Sequence, residues 1–389
     1  MITLALAGKP NCGKSTLYRA ATLAPAEIAN YPFTTIDANR GVAYVRVPCP
    51  CTSLAHRCGV CADGIRYIAV HLIDVAGLVP EAHTGKGLGN QFLDHLRQAD
   101  AIIQVIDASG STDIEGNPDN PGSHDPLEEI PMMRTEMAMW LFGIIEKHWP
   151  KLQRQAQSRS FSIYTGLAEI LAGLSIRDEH VMDAEREAGI DLKLTASGDL
   201  IEFSKILMRE AKPVIVAGNK ADLAPPELLA KVKDSGIILT SGAAELALRT
   251  AASSQMIVYH PGDTSFSVPD EGKLSDAQKA GLMKMKEYMD AHGGTGVQDI
   301  INKAVFELLD MIVLYPVEDE THLTDGQGRV LPDAFLMKKG STPHDLAHQV
   351  HSDIGKGFLY AIDAKTKMRI KENAILKDGD IIKIVSTAK

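Results

Sequence analysis

The sequence predicts an α/β protein with a mainly parallel sheet, an all-helical insertion and a separate C-terminal domain. Apolar runs at residues 2–7, 67–75, 101–107 and 214–219 are each followed by a polar loop. Such runs are typical of parallel strands buried on both faces, whose carboxyl ends share one edge of the sheet. About a hundred residues of helical periodicity separate the third run from the fourth, far more than the short loops and single helix of a minimal α/β unit.

Composition limits the class of protein. The 389 residues are 45% hydrophobic and 23% charged, with near-zero mean hydropathy, as expected for a soluble protein of two or three domains. The apolar residues 1–7 lack a basic preamble and a cleavage site and are too short to cross a bilayer, so we expect a cytoplasmic protein without a membrane partner. The net charge of −10 argues against non-specific nucleic-acid binding.

The most informative motif is Gly-x4-Gly-Lys-Ser at residues 8–15, directly after the first apolar run. Its glycines let backbone N–H groups curl around a β-phosphate, and a helix beginning near Lys14 adds its positive dipole end. Lys14 is predicted to reach the β- and γ-phosphates, and Ser15 to ligate Mg²⁺. The nucleotide-binding residues predicted in this loop are Gly8, Asn11, Cys12, Gly13, Lys14, Ser15 and Thr16.

Two further elements favour a nucleotide whose γ-phosphate is sensed. Asp74-x-x-Gly77 ends the second apolar run, where Asp74 is predicted to hold Mg²⁺ through water and the Gly77 N–H to meet the γ-phosphate. Between the two motifs, Thr35, or alternatively Thr34, can close over the metal and swing away after hydrolysis. The predicted Mg²⁺ ligands are therefore Ser15, Thr35 and Asp74.

The fourth element, Asn219-Lys220-x-Asp222, predicts a guanine base. Asp222 can accept both the N1–H and the exocyclic N2 hydrogens of guanine, whereas adenine offers a lone pair at N1. Lys220 is predicted to lay its methylenes along the base, and Asn219 to tie neighbouring loops together. Ser241 and Gly242 are predicted to place a backbone N–H near guanine O6, although a plain Ser-Gly turn is the alternative.

Four motifs in this order, each at the end of a predicted parallel strand, predict a Ras-like P-loop GTPase domain. We assign it residues 1–112 and 205–312, with a helical insertion at 113–204 and a C-terminal domain at 313–389. Apolar residues such as Met133, Met137 and Leu141 recur at helical spacing in the insertion. Its expected use is contact with a large partner.

Four of the five cysteines fall in the loop before the second apolar run, at Cys49, Cys51, Cys58 and Cys61. Two close pairs suit a tetrahedral thiolate site for Zn²⁺. Free structural thiols and an oxidisable loop are the alternatives, because disulfides are disfavoured in the cytoplasm.

Residues 8–15, 30–36, 74–79 and 85–93 together resemble the Obg superfamily of GTPases, in its YchF/Ola-type branch. The resemblance implies a nucleotide-driven switch on the ribosome or another translation complex. The developmentally regulated GTP-binding proteins are the second choice, but their phosphate loop follows an N-terminal helical segment. Many YchF/Ola-type proteins have lost Asn-Lys-x-Asp and use ATP, whereas this chain keeps the motif, which predicts a preference for GTP.

The catalytic assignment is less direct, because Leu78 stands where many Ras-like enzymes carry a water-orienting glutamine. Slow intrinsic hydrolysis is therefore expected. His83 is a candidate for positioning the water, although a solvated loop histidine is the ordinary interpretation. Gln104 occupies a position where relatives often carry a histidine proposed as catalytic, and Asn11 resembles the asparagine of potassium-activated members. The predicted catalytic set is Lys14, Thr35, Gly77, His83 and Gln104.

The C-terminal segment resembles the TGS module, a ubiquitin-like β-grasp domain, at residues 342–347, 351–358 and 376–384. The resemblance leaves RNA or protein as its ligand. From residue 312 onward the chain has 11 basic and 11 acidic residues, so this tail is electrically neutral and only weakly favours RNA. His344, His348 and His351 form either a recognition face or a set of solvated side chains.

Two functional classes follow. The favoured one is a Mg²⁺-dependent switch that hydrolyses GTP slowly. The other is a nucleotide sensor, using GTP or ATP, that turns over little and holds RNA or protein through its insertion and tail. A metabolic kinase ranks third, since no pocket for a second small substrate is evident.

Overall fold

A computed structural model describes residues 1–23, 40–54, 57–75, 77–81, 83, 96–158 and 160–387. Within those ranges, no helix combines the length and the apolar character that crossing a bilayer requires. The strands are β1 (Thr3–Ala7), β2 (Arg40–Pro48), β3 (Ile65–Asp74), β4 (Ala101–Asp107), β5 (Val214–Asn219), β6 (Ile238–Leu239), β7 (Met311–Val317), β8 (Phe335–Lys338), β9 (Phe358–Asp363), β10 (Arg369–Ile370) and β11 (Asp380–Ser386). The helices are α1 (Lys14–Thr22), α2 (Glu129–Ala156), α3 (Ile163–Ile170), α4 (Asp178–Ala188), α5 (Leu200–Ala211), α6 (Pro226–Asp234), α7 (Gly242–Ser253), α8 (Asp276–His292), α9 (Val297–Lys303), α10 (Pro343–Val350) and α11 (Ser352–Lys356).

The first six strands form one sheet in the order β2-β3-β1-β4-β5-β6. Every neighbouring pair is parallel except β2 and β3, which run antiparallel. All seven residues of β4 are buried, which explains its uninterrupted apolar sequence. The carboxyl ends of β1, β3, β4 and β5 therefore meet at one edge, where the sequence motifs lie.

The insertion is a helical unit formed by α2, α3, α4 and α5, as the periodicity predicts. Met133, Met137 and Trp149 on α2 are each 1% exposed and share a hydrophobic cluster with Phe203 and Leu207 of α5. The methionine-bearing face is thus core. The boundary expected after residue 204 falls inside α5, and the whole of that helix packs with the insertion.

The last strands form a second sheet in the order β10-β9-β11-β7-β8, in which β11 is parallel to β7. The hydroxyl of Thr342 accepts from the backbone N–H of Asp345 and begins α10 with a reciprocal capping box. After α9 the chain continues as a π-helical turn over Ala304–Leu308, and β7 begins at Met311, close to the assigned start of the C-terminal domain.

Candidate functional site

The turn between β1 and α1 forms the phosphate loop. Gly13 has φ +90°, and a Cβ there would collide with the side-chain amide of Asn219, so glycine is required on both grounds. Lys14 is 8% exposed, and its Nζ lies 3.4 Å from the carbonyl oxygen of Lys9. The buried Cys12 faces the interior, where burial raises its thiol pKa to about 11. Cys12 thus contributes main-chain atoms and a small side chain.

Ser15 and Asp74 come together at this edge as predicted for a metal site. The Ser15 hydroxyl donates to Oδ2 of Asp74 at 2.9 Å. Oδ1 of Asp74 is buried and has no hydrogen-bond partner among the described residues, and burial raises the pKa of this carboxyl. A buried oxygen without a partner beside a hydroxyl fits Mg²⁺, which prefers hard oxygen ligands. These two residues would hold the ion, which screens phosphate charge when bound.

The Asp-x-x-Gly turn lies directly against the phosphate loop. A Cβ on Gly77 would lie 2.9 Å from Cγ of Pro10, and the backbone N–H of Leu78 donates to the carbonyl oxygen of Gly8 at 3.0 Å. The Leu78 side chain is 2% exposed and belongs to the core shared with the insertion. It has no means of orienting water, in agreement with the sequence prediction. Thr35 lies outside the described residues.

Asn219, at the end of β5, makes hydrogen bonds to two other loops. Its Nδ2 donates to the carbonyl oxygen of Cys12 at 3.1 Å. Its Oδ1 accepts from the backbone N–H of Gly242 at 3.0 Å and lies 3.4 Å from the hydroxyl of Thr240. One buried amide thereby links the phosphate loop to the loop after β6.

Ser241 and Gly242, predicted to place a backbone N–H near guanine O6, lie at the start of α7. The Ser241 N–H donates to the carbonyl oxygen of Thr295, its hydroxyl caps α7, and the Gly242 N–H donates to Asn219. Both N–H groups thus already have protein partners. A contact with O6 would require Gly242 to exchange Asn219 for the base.

The remaining base-recognition residues, Asp222 and Lys220, have different surroundings. Asp222 is exposed in a short turn after β5. Burial, together with the charge of Asp222, raises the pKa of the Tyr288 hydroxyl, which is buried and unbonded among the described residues. Lys220 instead pairs with Asp107 at 2.9 Å, with 21% of its side chain exposed.

Asp107, which belongs to none of the nucleotide motifs, organises the segment after β4. Its carboxylate accepts from the hydroxyls of Ser109, Ser111 and Thr112 at 2.5 to 2.9 Å, in addition to Lys220. Burial opposes ionisation of Asp107, but these donors outweigh it and lower its pKa. The segment looks flexible from its composition, yet it is fixed by this network and by Asn11, whose Nδ2 donates to Gly116 at 3.0 Å.

A buried ion pair joins the phosphate loop to the insertion. Lys9 Nζ lies 3.0 Å from Oε1 of Glu129, and donates to the carbonyl oxygens of Thr112 and Asp113. Glu129 begins α2, and its burial raises its pKa to about 7 despite the neighbouring cation of Lys9. Neither residue belongs to a nucleotide motif, so only the tertiary structure pairs them.

The two candidates for positioning water have different surroundings. His83 is anchored to α2: its Nδ1 lies 2.7 Å from Oε2 of Glu136, which also accepts from the His83 N–H. Gln104 is 1% exposed, faces Ala7 in the strand register, and donates to the carbonyl oxygen of Glu129 at 2.8 Å. The Gln104 amide is thus held against the start of α2, and its catalytic role stays a prediction.

Two further predicted groups, Thr16 and the clustered cysteines, complete the set. Thr16 borders a shallow cleft between α1 and α7, with Ala243 and Leu246. The four clustered cysteines precede β3, at the opposite end of that strand from Asp74.

Three family descriptions match successive parts of the chain. Residues 3–133 match a 50S ribosome-binding GTPase, residues 217–319 an Obg-like GTPase YGR210-like, G4 motif-containing domain, and residues 327–386 a TGS domain. The order of these matches is that of the predicted motifs and the C-terminal module.

Among sequence relatives, the chain is 48% identical over 398 residues to an uncharacterized GTP-binding protein of Methanocaldococcus jannaschii, with both chains covered completely. It is 27% identical over 372 residues to the ribosome-binding ATPase YchF of Bacillus subtilis, covering 92% of this chain and 87% of that one.

Solved structures agree with these matches. The crystal structure of a GTP binding protein from Pyrococcus horikoshii has a TM-score of 0.79 at 38% identity, over 99% of this chain and all of that one. The Schizosaccharomyces pombe YchF GTPase, with a TM-score of 0.58 at 20% identity over 99% and 97% of the two chains, shares the fold. The chain therefore belongs to the Obg-like, YchF-type family of P-loop GTPases that carry a C-terminal TGS domain.

Proposed function

We propose that this protein is a Mg²⁺-dependent molecular switch that binds and slowly hydrolyses GTP in the cytoplasm. The observation that carries the proposal is the Asn219 amide, bonded at once to Cys12 of the phosphate loop and Gly242 of the loop after β6. It fixes the phosphate-binding and base-recognition loops to each other. Asp222, three residues further on, remains exposed and able to accept from a base.

The preference for guanine rests on Asp222, because its carboxylate matches the donor edge of guanine and opposes the N1 lone pair of adenine. Competition between GTP and ATP for the purified protein tests this. We expect GTP to bind at least tenfold more tightly, and Asp222→Asn to shift the preference toward xanthine nucleotides. Equal affinities for GTP and ATP, or an unchanged GTP affinity in Asp222→Asn, would refute the assignment.

Slow turnover follows from the buried Leu78, since a leucine side chain cannot orient water. Lys14 and the Gly77 N–H are the groups assigned to the phosphates, with Thr35 proposed to close over the metal. His83 remains the local candidate for water positioning, anchored by Glu136. In GTPases of this kind, an activating partner can raise the rate of hydrolysis by roughly 10³- to 10⁵-fold.

The ribosome is the proposed partner, supported by relatives named ribosome-binding ATPase YchF and by the match to a ribosome-binding GTPase description. The same proposal includes contact of the helical insertion with the ribosome. It also includes binding of RNA or protein by the TGS domain. Phosphate release under multiple turnover, with and without ribosomes, tests it. Faster phosphate release in the presence of ribosomes would support the switch.

A low-turnover sensor is the second candidate, favoured by the ATPase names of those relatives and by Leu78. Tight nucleotide binding without ribosome-stimulated turnover is its expected signature. Retention of ATP-bound protein on ribosomes would favour it over the GTP switch.

A further inference from the structure

The four cysteines of the β2–β3 connection converge on one point. Sγ of Cys49 lies 3.7 Å from that of Cys58, and Sγ of Cys51 lies 3.5 Å from that of Cys61. All four sulfurs lie within 4.8 Å of one another. Zn–S bonds of about 2.3 Å in a tetrahedron place sulfurs roughly 3.8 Å apart, so the observed spacing already suits one central ion. All four cysteines are free thiols.

The backbone presents these sulfurs from two arms of one hairpin. β2 and β3 stay in register up to the pair Pro48 and Ile65, and the Cys49 N–H donates to the carbonyl oxygen of Gly64 at 2.8 Å. The turn between Cys58 and Cys61 contains Gly59 at φ +71°. The sheet itself therefore brings the two cysteine pairs together.

The sulfurs also have the polar surroundings that a thiolate site needs. Backbone N–H groups of Cys51, Val60 and Gly64 lie near the sulfurs of Cys49, Cys58 and Cys61, respectively, where they favour the thiolate form. Such N–H···S contacts orient metal-bound thiolates and offset their negative charge. Cys49, Cys51 and Cys58 are buried, and Cys61 is half-buried, so the cluster leaves no open position for a substrate.

The cluster lies where the GTPase domain meets the C-terminal domain. Cys49, Cys51 and Cys58 share a hydrophobic cluster with Tyr315 and Leu331. Arg66, one residue into β3, donates to the carbonyl oxygens of Leu331 and Pro332 at 2.7 and 2.8 Å. The same hairpin that holds the cysteines thus also holds the C-terminal domain.

We propose that Cys49, Cys51, Cys58 and Cys61 bind one structural Zn²⁺ ion, which fixes the β2–β3 hairpin against the C-terminal domain. Four thiolates in a closed tetrahedron select a soft ion. The site is chemically separate from the oxygen-lined edge at Asp74. It holds the junction between domains and takes no part in phosphate chemistry.

Metal analysis of the full chain, purified without chelators, tests the site. We expect about one zinc per chain, no disulfide by mass spectrometry, and release of that zinc as a mercurial titrates four thiols. Replacement by Co²⁺ should give the absorption of tetrahedral cobalt thiolate. Less than about 0.2 equivalents of zinc, a disulfide between these cysteines, or bound iron would overturn the assignment.

Cys58→Ser is the matched variant, and Cys12→Ser is its control because Cys12 is the fifth cysteine and lies in the phosphate loop. Zinc content should fall at least fivefold in Cys58→Ser and stay at the wild-type level in Cys12→Ser. If Cys58→Ser does not fold, the thiol titration of the wild-type chain decides alone.

The role at the junction has its own readout. Zinc removal should speed hydrogen exchange across residues 311–332 at least tenfold while GTP affinity stays within twofold, because the nucleotide edge lies at the other end of β3. Unchanged exchange after complete zinc loss would overturn the junction role. Since metal content is measured without nucleotide, this result is independent of the proposed GTPase function.

Discussion

Oε2 of Glu136, on the inserted helix α2, lies 2.7 Å from Nδ1 of His83, in the segment that follows the Asp-x-x-Gly turn. The same carboxylate accepts from the backbone N–H groups of Glu81 and His83 at 2.7 and 3.1 Å. The insertion is therefore hydrogen-bonded to the segment that we expect to respond to the γ-phosphate. Any movement of that segment must first break these contacts.

Glu136→Ala should release this segment. Losing charge-assisted hydrogen bonds removes at least about 1.4 kcal/mol of local stability, so hydrogen exchange in residues 77–83 should accelerate roughly tenfold. Glu146→Ala, an exposed change on the same helix, should leave exchange there unaltered. Equal exchange in the two variants would show that Glu136 does not anchor the segment.

Asn219→Ala should damage both the stability and the nucleotide affinity of the protein. The change leaves the Gly242 N–H and the Cys12 carbonyl without their side-chain partner, at a penalty of about 2 kcal/mol. Urea unfolding and GTP titration measure the two effects. Asn120→Ala, in the exposed segment after β4, is the control and should change neither quantity.

Asp74→Asn should abolish most of the Mg²⁺ dependence of nucleotide binding, because it removes a charged oxygen while keeping the size of the side chain. GTP affinity should become similar in Mg²⁺ and in EDTA. Since burial raises the pKa of Asp74, Mg²⁺-dependent affinity of the wild type should weaken as the pH falls and protonates this carboxyl. A variant with the full wild-type response to Mg²⁺ would contradict the proposed ligand.

Glu129 should make folding stability depend on pH near neutrality. Its pKa is about 7 in the folded protein, against 4.5 for the ordinary group. Between these values the folded state holds a proton that the unfolded chain has lost, so this contribution to stability decreases as the pH rises, by up to about 1.4 kcal/mol per unit. Urea unfolding from pH 5 to 8 should show that component in the wild type, and Glu129→Gln should lack it.

Potassium should stimulate turnover if Asn11 acts as its resemblance to potassium-activated relatives implies. The Asn11 amide nitrogen already donates to Gly116, and its oxygen is the atom suited to a monovalent cation. Phosphate release in matched potassium and sodium buffers measures the effect. Identical rates would reject it.

The sequence predicts the local chemistry of the site well. β4 and β5 have the predicted bounds, α1 begins at Lys14, and Ser15 meets Asp74, because each motif encodes a turn at the end of an apolar strand. The insertion is helical, as its periodicity indicates.

What the sequence does not predict depends on pairings between distant residues. Lys9 and Glu129 are 120 positions apart, and neither stands out until α2 is packed against the phosphate loop. The burial of Gln104 and its hydrogen bond to Glu129 likewise appear only once β4 and α2 are packed together. The same holds for the hydrogen bond that the Gly242 N–H donates to Asn219.

β3 is an unbroken strand with Asp74 at its last position and Arg66 near its first. Eight residues of extended chain span roughly 26 Å. β3 pairs with β2 from Ile65 to Ile73 and with β1 from His71 to Asp74, and this pairing resists stretching and bending. The Arg66 contact with Leu331 and the Asp74 carboxylate are therefore held at a fixed separation along one strand. A partner that docked on the C-terminal domain would therefore be held at a fixed distance from the predicted magnesium site at Asp74.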